Sequence, residues 1–373
     1  MYLFERLFGL LVYYVTLLIF CIILSKIKDN KKIKRILLYY LICLCTISYF
    51  YLPAATADLS RHYESLELYS SISYSSFLDL LLTNNSPLSL VFFRYIGMTN
   101  NYHLLPFFTC LIYYGILFSL LNDFCKRYDI NGKDASKSLF FLMIGGKLLG
   151  IISGVRNGIA FMLLIKCFYN EFILNKSIFH NIIYYLSSIL MHPSSLIIIA
   201  IRFIFMFFEK QKSFVKKVFN VFLIICFGFL FVKYGQNLLN YTLEKGLSYI
   251  NGGDYFYIWE HLISFIYIFF TIIILLSFRK KINCDTNIKK LSNFILFLCI
   301  ITLAFSFEHS IFTRFQGFIS LMFVFYFSFF LKEIRNLKIK SLTYSFLYYF
   351  VIILILIISI TRGDITGLKF FIY

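Results

Sequence analysis

The sequence predicts an all-α integral membrane protein, a bundle of about 12 helical spans with limits of roughly 10 and 13. Hydrophobic residues make up 60% of the 373 residues and charged residues only 14%. That is too little charge to cover the surface of a water-soluble protein of this size. The mean hydropathy is +0.80. Long apolar runs follow one another, and helices are the default for such runs because backbone polar groups in lipid must be bonded internally.

The apolar runs define the predicted spans. They are 7–25, 36–52, 103–124, 138–151, 156–172, 178–191, 194–208, 214–232, 258–278, 291–307, 311–331 and 341–361. The first run has no small-residue cleavage site and is followed by a basic segment, so it is predicted to be an uncleaved span. No internal repeat and no linker rich in Gly, Ser or Pro divides the chain. We therefore predict a single membrane domain over 1–373.

The cations between the spans predict the orientation. Of the 36 Lys and Arg residues, 24 fall in the loops 26–35, 125–137, 172–177, 209–217, 279–290 and 332–340. Positive residues concentrate in cytoplasmic loops, so these loops are predicted to be cytoplasmic and the N-terminus extracytoplasmic. The same pattern explains the net charge of +18 without nucleic acid as a partner.

Two long segments, 53–101 and 233–257, are then predicted to be extracytoplasmic. The first contains the apolar run "SPLSLVFF". A full crossing by this run would turn the basic loops outward, so it is predicted to re-enter the membrane or to lie at its interface. The second is rich in Gly, Asn and Tyr, as suits a surface loop.

The nine Cys residues lie mostly inside apolar runs and form no CxxC pair or metal-ligand spacing. They are interpreted as small apolar packing residues. The sequence therefore predicts neither a metal nor a cofactor.

Four polar motifs fall at the predicted outer face. They are "TADLSRHYE" with Asp58, Arg61 and Tyr63, "SGVRNGIA" with Arg156, "LMHPSSL" with His192, and "FEHSIFTRFQGF" with Glu308, His309 and Arg314. Three arginines on one face predict an anionic ligand, since guanidinium groups bind phosphate oxygens in pairs and keep their charge when partly desolvated. A carboxylate or histidine beside them is suited to take a proton from a sugar hydroxyl.

Each motif also has a plain structural interpretation. Asp58 and Arg61, three residues apart on a helix, would form an ordinary exposed ion pair that contributes little. Arg156 would extend its side chain to the membrane interface, and His192 would cap a turn. Arg314 is harder to explain in this way because it lies inside an apolar run, where a charge costs about 2.5–3.5 kcal/mol.

The succession of "DLSRHYE", "SGVRNGIA", "MHPSSL" and "FTRFQGF", over roughly residues 50–320, resembles the EpsG-like branch of the Wzy-type polysaccharide polymerases. That family has an Asp-x-x-Arg-Tyr-like motif after the second span and an Arg that opens a later helix. A His before a small residue or Pro follows, and then a late Arg near an aromatic residue. This chain departs from the pattern at His62, where Tyr is usual, and at Asn157, where Gln more often follows the Arg.

The resemblance implies a membrane glycosyltransferase of GT-C-like architecture in the bacterial plasma membrane, with its active site facing outward. Such enzymes transfer a growing chain from undecaprenyl diphosphate to the next lipid-linked oligosaccharide repeat unit, and make O-antigen, capsule or exopolysaccharide. Besides the lipid-linked oligosaccharide and the bilayer, a chain-length regulator and a flippase of the same pathway are implied as partners. The catalytic candidates are Asp58, His192 and Glu308. The substrate-binding candidates are Arg61, Arg156, Arg314, His309 and Tyr63.

Three alternatives stay open. A flippase for lipid-linked oligosaccharide would need polar residues along a path to the inner face, whereas the span interiors are nearly devoid of charge, with Lys147, Lys166 and Arg202 as the basic residues far from span ends. A membrane O-acyltransferase would need a catalytic histidine facing a cytoplasmic acyl donor, and His192 is predicted on the opposite side. A purely structural assembly partner predicts that none of the four motifs matters individually.

Overall fold

The computed structural model of the protein describes residues 2–53, 58–145, 148–210, 256–279, 285–306, 309–336, 345, 348–354 and 369–370. Its helices are α1 (Tyr2–Ser25), α2 (Asn30–Tyr49), α3 (Asp58–Ser71), α4 (Tyr74–Thr83), α5 (Pro87–Gly97), α6 (Leu104–Arg127), α7 (Gly132–Gly145), α8 (Leu148–Ser153), α9 (Val155–Phe172), α10 (Ile182–Met191), α11 (Ser195–Lys210), α12 (Phe256–Phe278), α13 (Thr286–Ala304) and α14 (His309–Asn336). A 3-10 turn at Ile178–Asn181 leads into α10.

Four of these helices contain stretches that are long and apolar enough to cross a membrane. They are Leu104–Arg127, His261–Phe278, Thr286–Ala304 and Ile311–Arg335. Shorter apolar helices occur at Val12–Ser25, Pro87–Gly97, Ile178–Met191 and Ser195–Phe208. The all-α class is confirmed, while the total of about 12 spans, the orientation and the GT-C-like architecture stay predictions. The predicted span 214–232 and most of 341–361 and of the loop 233–257 lie outside the described residues.

Aromatic side chains fill the centre of the bundle. The ring of Phe141 on α7 lies 4.5 Å from that of Tyr267 and 4.8 Å from that of Phe270, both on α12. It also lies 5.4 Å from the ring of Phe327 on α14. Such tilted ring pairs contribute beyond their buried area, so the high Phe and Tyr content holds α7, α12 and α14 together.

The loops predicted to be cytoplasmic meet at one end of the bundle. The contacts that join them are Gly132 N–H to Ile27 C=O (3.0 Å), Lys332 Nζ to Tyr128 C=O (2.7 Å) and Asn175 Nδ2 to Asn287 Oδ1 (3.0 Å). Five of the six basic loops contribute a residue to this list. We call this region, formed by 26–35, 125–137, 172–177, 285–290 and 332–336, the basic end.

The segment 53–101 folds into α3, α4 and α5 instead of an open loop. At 11 residues, α5 is about 16 Å long, too short for the roughly 30 Å of the hydrocarbon core. The placement of "SPLSLVFF" on the outer side of the membrane stays a prediction. Arg94 on α5 donates to the carbonyl of Tyr69 at 3.0 Å and to that of Ile72 at 3.3 Å, and so fixes the end of α3 to α5.

Helices α3 and α5 approach backbone to backbone at Gly97. A Cβ at this position would lie closer to the carbonyl oxygen of Leu66 than such atoms come in real structures, and close to Cβ of Ser70. Glycine is therefore required where α5 ends against α3.

Two features of the fold differ from the sequence prediction. The predicted span 138–151 falls on α7, which begins six residues earlier at Gly132, and on α8 from Leu148 to Ser153, with residues 146–147 outside the described residues. In addition, Tyr51–Leu52 pairs antiparallel with Lys369–Phe370 in a two-residue strand ladder, which an apolar periodicity of helical type does not reveal.

Candidate functional site

Five cationic or imidazole side chains from separate motifs come together at the end of the bundle opposite the basic end. His62 on α3 lies beside Arg61 and Arg156, and His192, after α10, lies beside Arg156 and Arg314. Arg156 thus connects the two groups. We call Arg61, His62, Arg156, His192 and Arg314 the arginine cluster.

The helices place these side chains at their ends. Arg156 is in the first turn of α9 and Arg314 in the second turn of α14. His192 ends α10, with its backbone N–H bonded to the Ser188 carbonyl at 2.9 Å. A helix N-terminus carries a partial positive charge, so cations there reduce helix stability. Local helix energetics therefore do not explain why Arg156 and Arg314 stand at these positions.

The electrostatics of the cluster are shown by its two histidines, both half-buried. Burial, then Arg156 and Arg61, lower the pKa of His62 to about 4, while a hydrogen bond to the backbone of Ser153 opposes this shift. Burial, then Arg156 and Arg314, lower the pKa of His192 to about 3. Both rings are therefore neutral at physiological pH.

Hydrogen bonds orient the ring of His192. The backbone N–H of Ser194 donates to Nδ1 at 3.1 Å, and Oγ of Ser194 lies 2.7 Å from the same nitrogen. The Ser194 hydroxyl is also 3.1 Å from Oδ1 of Asn157, one residue after Arg156. This chain of contacts ties the turn after α10 to the first turn of α9.

Asp58 forms the predicted ion pair with Arg61, three residues along α3. The Arg61 side chain is 69% exposed and that of Asp58 56% exposed, so the pair contributes little to stability. The pair matters because it places the Asp58 carboxylate directly beside the Arg61 guanidinium of the arginine cluster.

Tyr63 and His309 have contacts elsewhere. The ring of Tyr63 packs 5.8 Å from that of Tyr102, before α6. His309 lies with its Nδ1 3.1 Å from Nδ1 of His261 on α12, and His261 Nε2 is 2.6 Å from the Ser306 carbonyl. Neither contact involves a member of the arginine cluster, although both side chains were predicted to bind substrate. Glu308, the third catalytic candidate, lies outside the described residues.

Sequence reasoning noted His62 only as a departure from a motif. Its position beside two arginines becomes visible once α3 is placed against α8, which ends at Ser153. The pattern of one His followed two residues later by Ser, "HPSS", was a usable signal for the bond to Ser194.

A second charged group, which the sequence did not predict, lies inside the bundle. Arg202 Nε lies 2.9 Å from Oε2 of Glu171, and the Tyr185 hydroxyl donates to Oε1 of the same carboxylate at 2.5 Å. The Arg202 guanidinium carbon also stands 4.5 Å above the ring of Phe172. Arg202 was recognised in the sequence as a charge within a span, but its partner Glu171 lies 31 positions away.

No group of three or more His, Cys, Asp or Glu side chains suited to a metal occurs in the described part of the chain. Comparison of the sequence and structure with family models, with curated proteins and with solved structures finds no match in any of the three. The function is therefore argued from the chemistry of the arginine cluster.

Proposed function

We propose that the protein is a membrane polysaccharide polymerase that joins undecaprenyl-diphosphate-linked oligosaccharide repeat units at the outer face of the bacterial plasma membrane. One observation carries the proposal. Residues of the four motifs on which the resemblance rests, which are far apart in the sequence, supply the single cluster of Arg61, Arg156 and Arg314 with two neutral histidines.

A cation placed among other cations is unfavourable without an anion to neutralise it, and in this cluster Arg61 has Asp58. No ion pair joins Arg156 to a carboxylate among the described residues, and its place at a helix N-terminus adds to the positive field. Guanidinium groups match the oxygens of phosphates, with two bonds each. A diphosphate is thus a ligand whose charge and donor requirements fit this cluster.

In the proposed reaction, the anomeric carbon of the donor chain leaves its diphosphate oxygen and bonds to a hydroxyl of the acceptor unit. The hydroxyl proton passes to a carboxylate, and undecaprenyl diphosphate departs. Arg156 and Arg314 stabilise the charge that develops on the leaving diphosphate. Asp58 is our preferred base over Glu308, because its carboxylate lies beside Arg61 of the arginine cluster.

The buried pair of Arg202 and Glu171 favours this proposal over a flippase. Arg202 is bonded to Glu171, which also accepts from Tyr185, so its charge is neutralised inside the bundle. A transport path needs polar groups that can exchange partners with a passing diphosphate, whereas these groups are already paired with one another.

Deletion of the gene tests the proposal. Cells without the protein should accumulate lipid-linked single repeat units and lose long polymer, and the wild-type gene on a plasmid should restore both. Lipid-linked saccharides and polymer length would be compared on gels from the same cultures. Normal long-chain polysaccharide from the deletion strain, in a genome with no second polymerase, would rule the proposal out.

A further inference from the structure

His192 presents two ring nitrogens with different surroundings. The backbone N–H of Ser194 points at Nδ1 across 3.1 Å. A backbone N–H can only donate, so Nδ1 is the acceptor in this bond. In a neutral imidazole the other nitrogen then carries the proton, and His192 has its N–H at Nε2.

The Ser194 hydroxyl does not change this assignment. Its oxygen lies 2.7 Å from His192 Nδ1 and 3.1 Å from Asn157 Oδ1, and its single proton serves one of them at a time. The oxygen and nitrogen of an amide are assigned from the hydrogen-bond network. If the Asn157 amide is turned over, its NH₂ donates to Ser194 Oγ, which donates in turn to Nδ1. In both arrangements Nδ1 accepts from the Ser194 backbone.

We infer that His192, as a neutral ring, donates a hydrogen bond from Nε2–H to the anionic ligand of the arginine cluster and does not accept the proton of the acceptor hydroxyl. The identity of the ligand as a diphosphate rests on the proposed function. The tautomer of His192 follows from the contacts with Ser194 alone. This role differs from that of a catalytic base, which the sequence suggested for His192.

Two physical reasons support a donor over a base. To take a proton at Nδ1, the ring would break its bond with the Ser194 N–H, and to take one at Nε2 that nitrogen would need to lose the proton it carries. A charged ring would also stand beside Arg156 and Arg314. A neutral donor adds a directed bond to the anion without adding to that repulsion, and the Ser194 contacts hold it in place beforehand.

A purely structural role for His192 makes a different prediction. The residue ends α10, and its Nδ1 closes the turn to Ser194. That function needs only an acceptor at the position of Nδ1, which the side-chain oxygen of Asn supplies. The longer Gln side chain places its NH₂ near the position of Nε2, so it keeps a donor but cannot take up a proton.

Binding of inorganic pyrophosphate to the purified full-length protein in detergent, measured by calorimetry, separates these roles. We expect His192→Gln to bind close to wild type, and His192→Asn and His192→Ala to bind about tenfold to hundredfold more weakly. His180→Gln is the matched control, because His180 is exposed and bonded to Lys176 far from the cluster. Polymer length would be measured for the same variants in cells.

The outcomes are distinct. If His192→Asn keeps the affinity and His192→Gln loses it, the role is structural and the inference is wrong. If both bind pyrophosphate normally but neither makes polymer, His192 is a proton acceptor and the inference is also wrong. Failure of the wild-type protein to bind pyrophosphate overturns it as well. If the deletion strain makes normal polymer while the Gln and Asn variants behave as expected, the donor role stands and only the proposed reaction fails.

Discussion

The two ends of the bundle differ in the partners of their cationic side chains. At the basic end, two cations have partners in another segment, since Arg335 pairs with the buried Asp134 at 3.0 Å and Lys332 donates to the Tyr128 carbonyl at 2.7 Å. At the other end, Arg156 neighbours other cations and two histidines. The difference is that Arg156 forms no ion pair among the described residues, an arrangement that costs stability and that the proposed anion binding would offset.

The first prediction concerns which end of the bundle faces out of the cell. Cysteine labelling at each tested position should be either complete or absent. In a background without the other cysteines, an impermeant thiol reagent applied to intact cells should label Lys245→Cys and should not label Cys284. The reason is the concentration of Lys and Arg in the loops of the basic end. Permeabilised cells, in which both positions should react, are the control. Labelling at Cys284 but not at position 245 would invert the orientation and remove the outward site.

The second prediction concerns the arginine cluster. Arg156→Ala and Arg314→Ala should each slow polymerisation about 10²–10³-fold, because each removes a donor to the developing charge of the leaving diphosphate. Arg156→Lys should also be impaired, since an ammonium keeps the charge but not the planar pair of donors. Polymer length on gels and protein amount in the same membranes are the measurements.

The thermal stability of Arg156→Ala should equal or exceed that of the wild type, because the substitution removes a cation that stands near other cations at a helix N-terminus. Arg35→Ala, at an exposed position of the basic end, is the control for loss of an arginine. Wild-type polymer from well-expressed alanine variants at both positions would show that the two arginines are only interfacial anchors.

The third prediction has the smallest expected effect and concerns the basic end. Asp134→Asn should lower the free energy of unfolding by about 1 kcal/mol or less, because it removes an ion pair whose Arg335 side chain is 42% exposed and reached by water. Polymer length per molecule of protein should not change. The same substitution at Asp79, which is exposed on α4, is the control for the change of residue type. A polymer defect in stable Asp134→Asn protein would mean that the two ends are not separate in function.

The sequence was sufficient for the helical class, for most helix positions and for the grouping of the basic loops, because these depend on hydropathy and charge pattern. The predicted spans 103–124 and 156–172 correspond closely to α6 and α9. The motif arginines were also found from the sequence, since a charge beside an apolar run is conspicuous. What it could not supply was the partner of each side chain.

Contacts between distant segments explain the gaps. Glu171 stands at the end of the predicted span 156–172, where a charged residue is not conspicuous, and only the packing of α9 against α10 and α11 shows its bonds to Tyr185 and Arg202. His309 and Arg314 share one motif but are five positions apart on α14, which puts them on different sides of the helix. Motif membership therefore did not predict that His309 contacts His261.

The close approach at Gly97 has a consequence for genetics. Helix α3, which carries Arg61 and His62, rests on α5 at a point where no side chain fits. Replacing Gly97 by alanine would push α3 away and move both side chains from Arg156, although every charged residue would still be present. In a screen for polymer-deficient strains, such an allele would resemble loss of an arginine, and because the closest contact is with the backbone carbonyl of Leu66, no smaller side chain on α3 would restore the spacing.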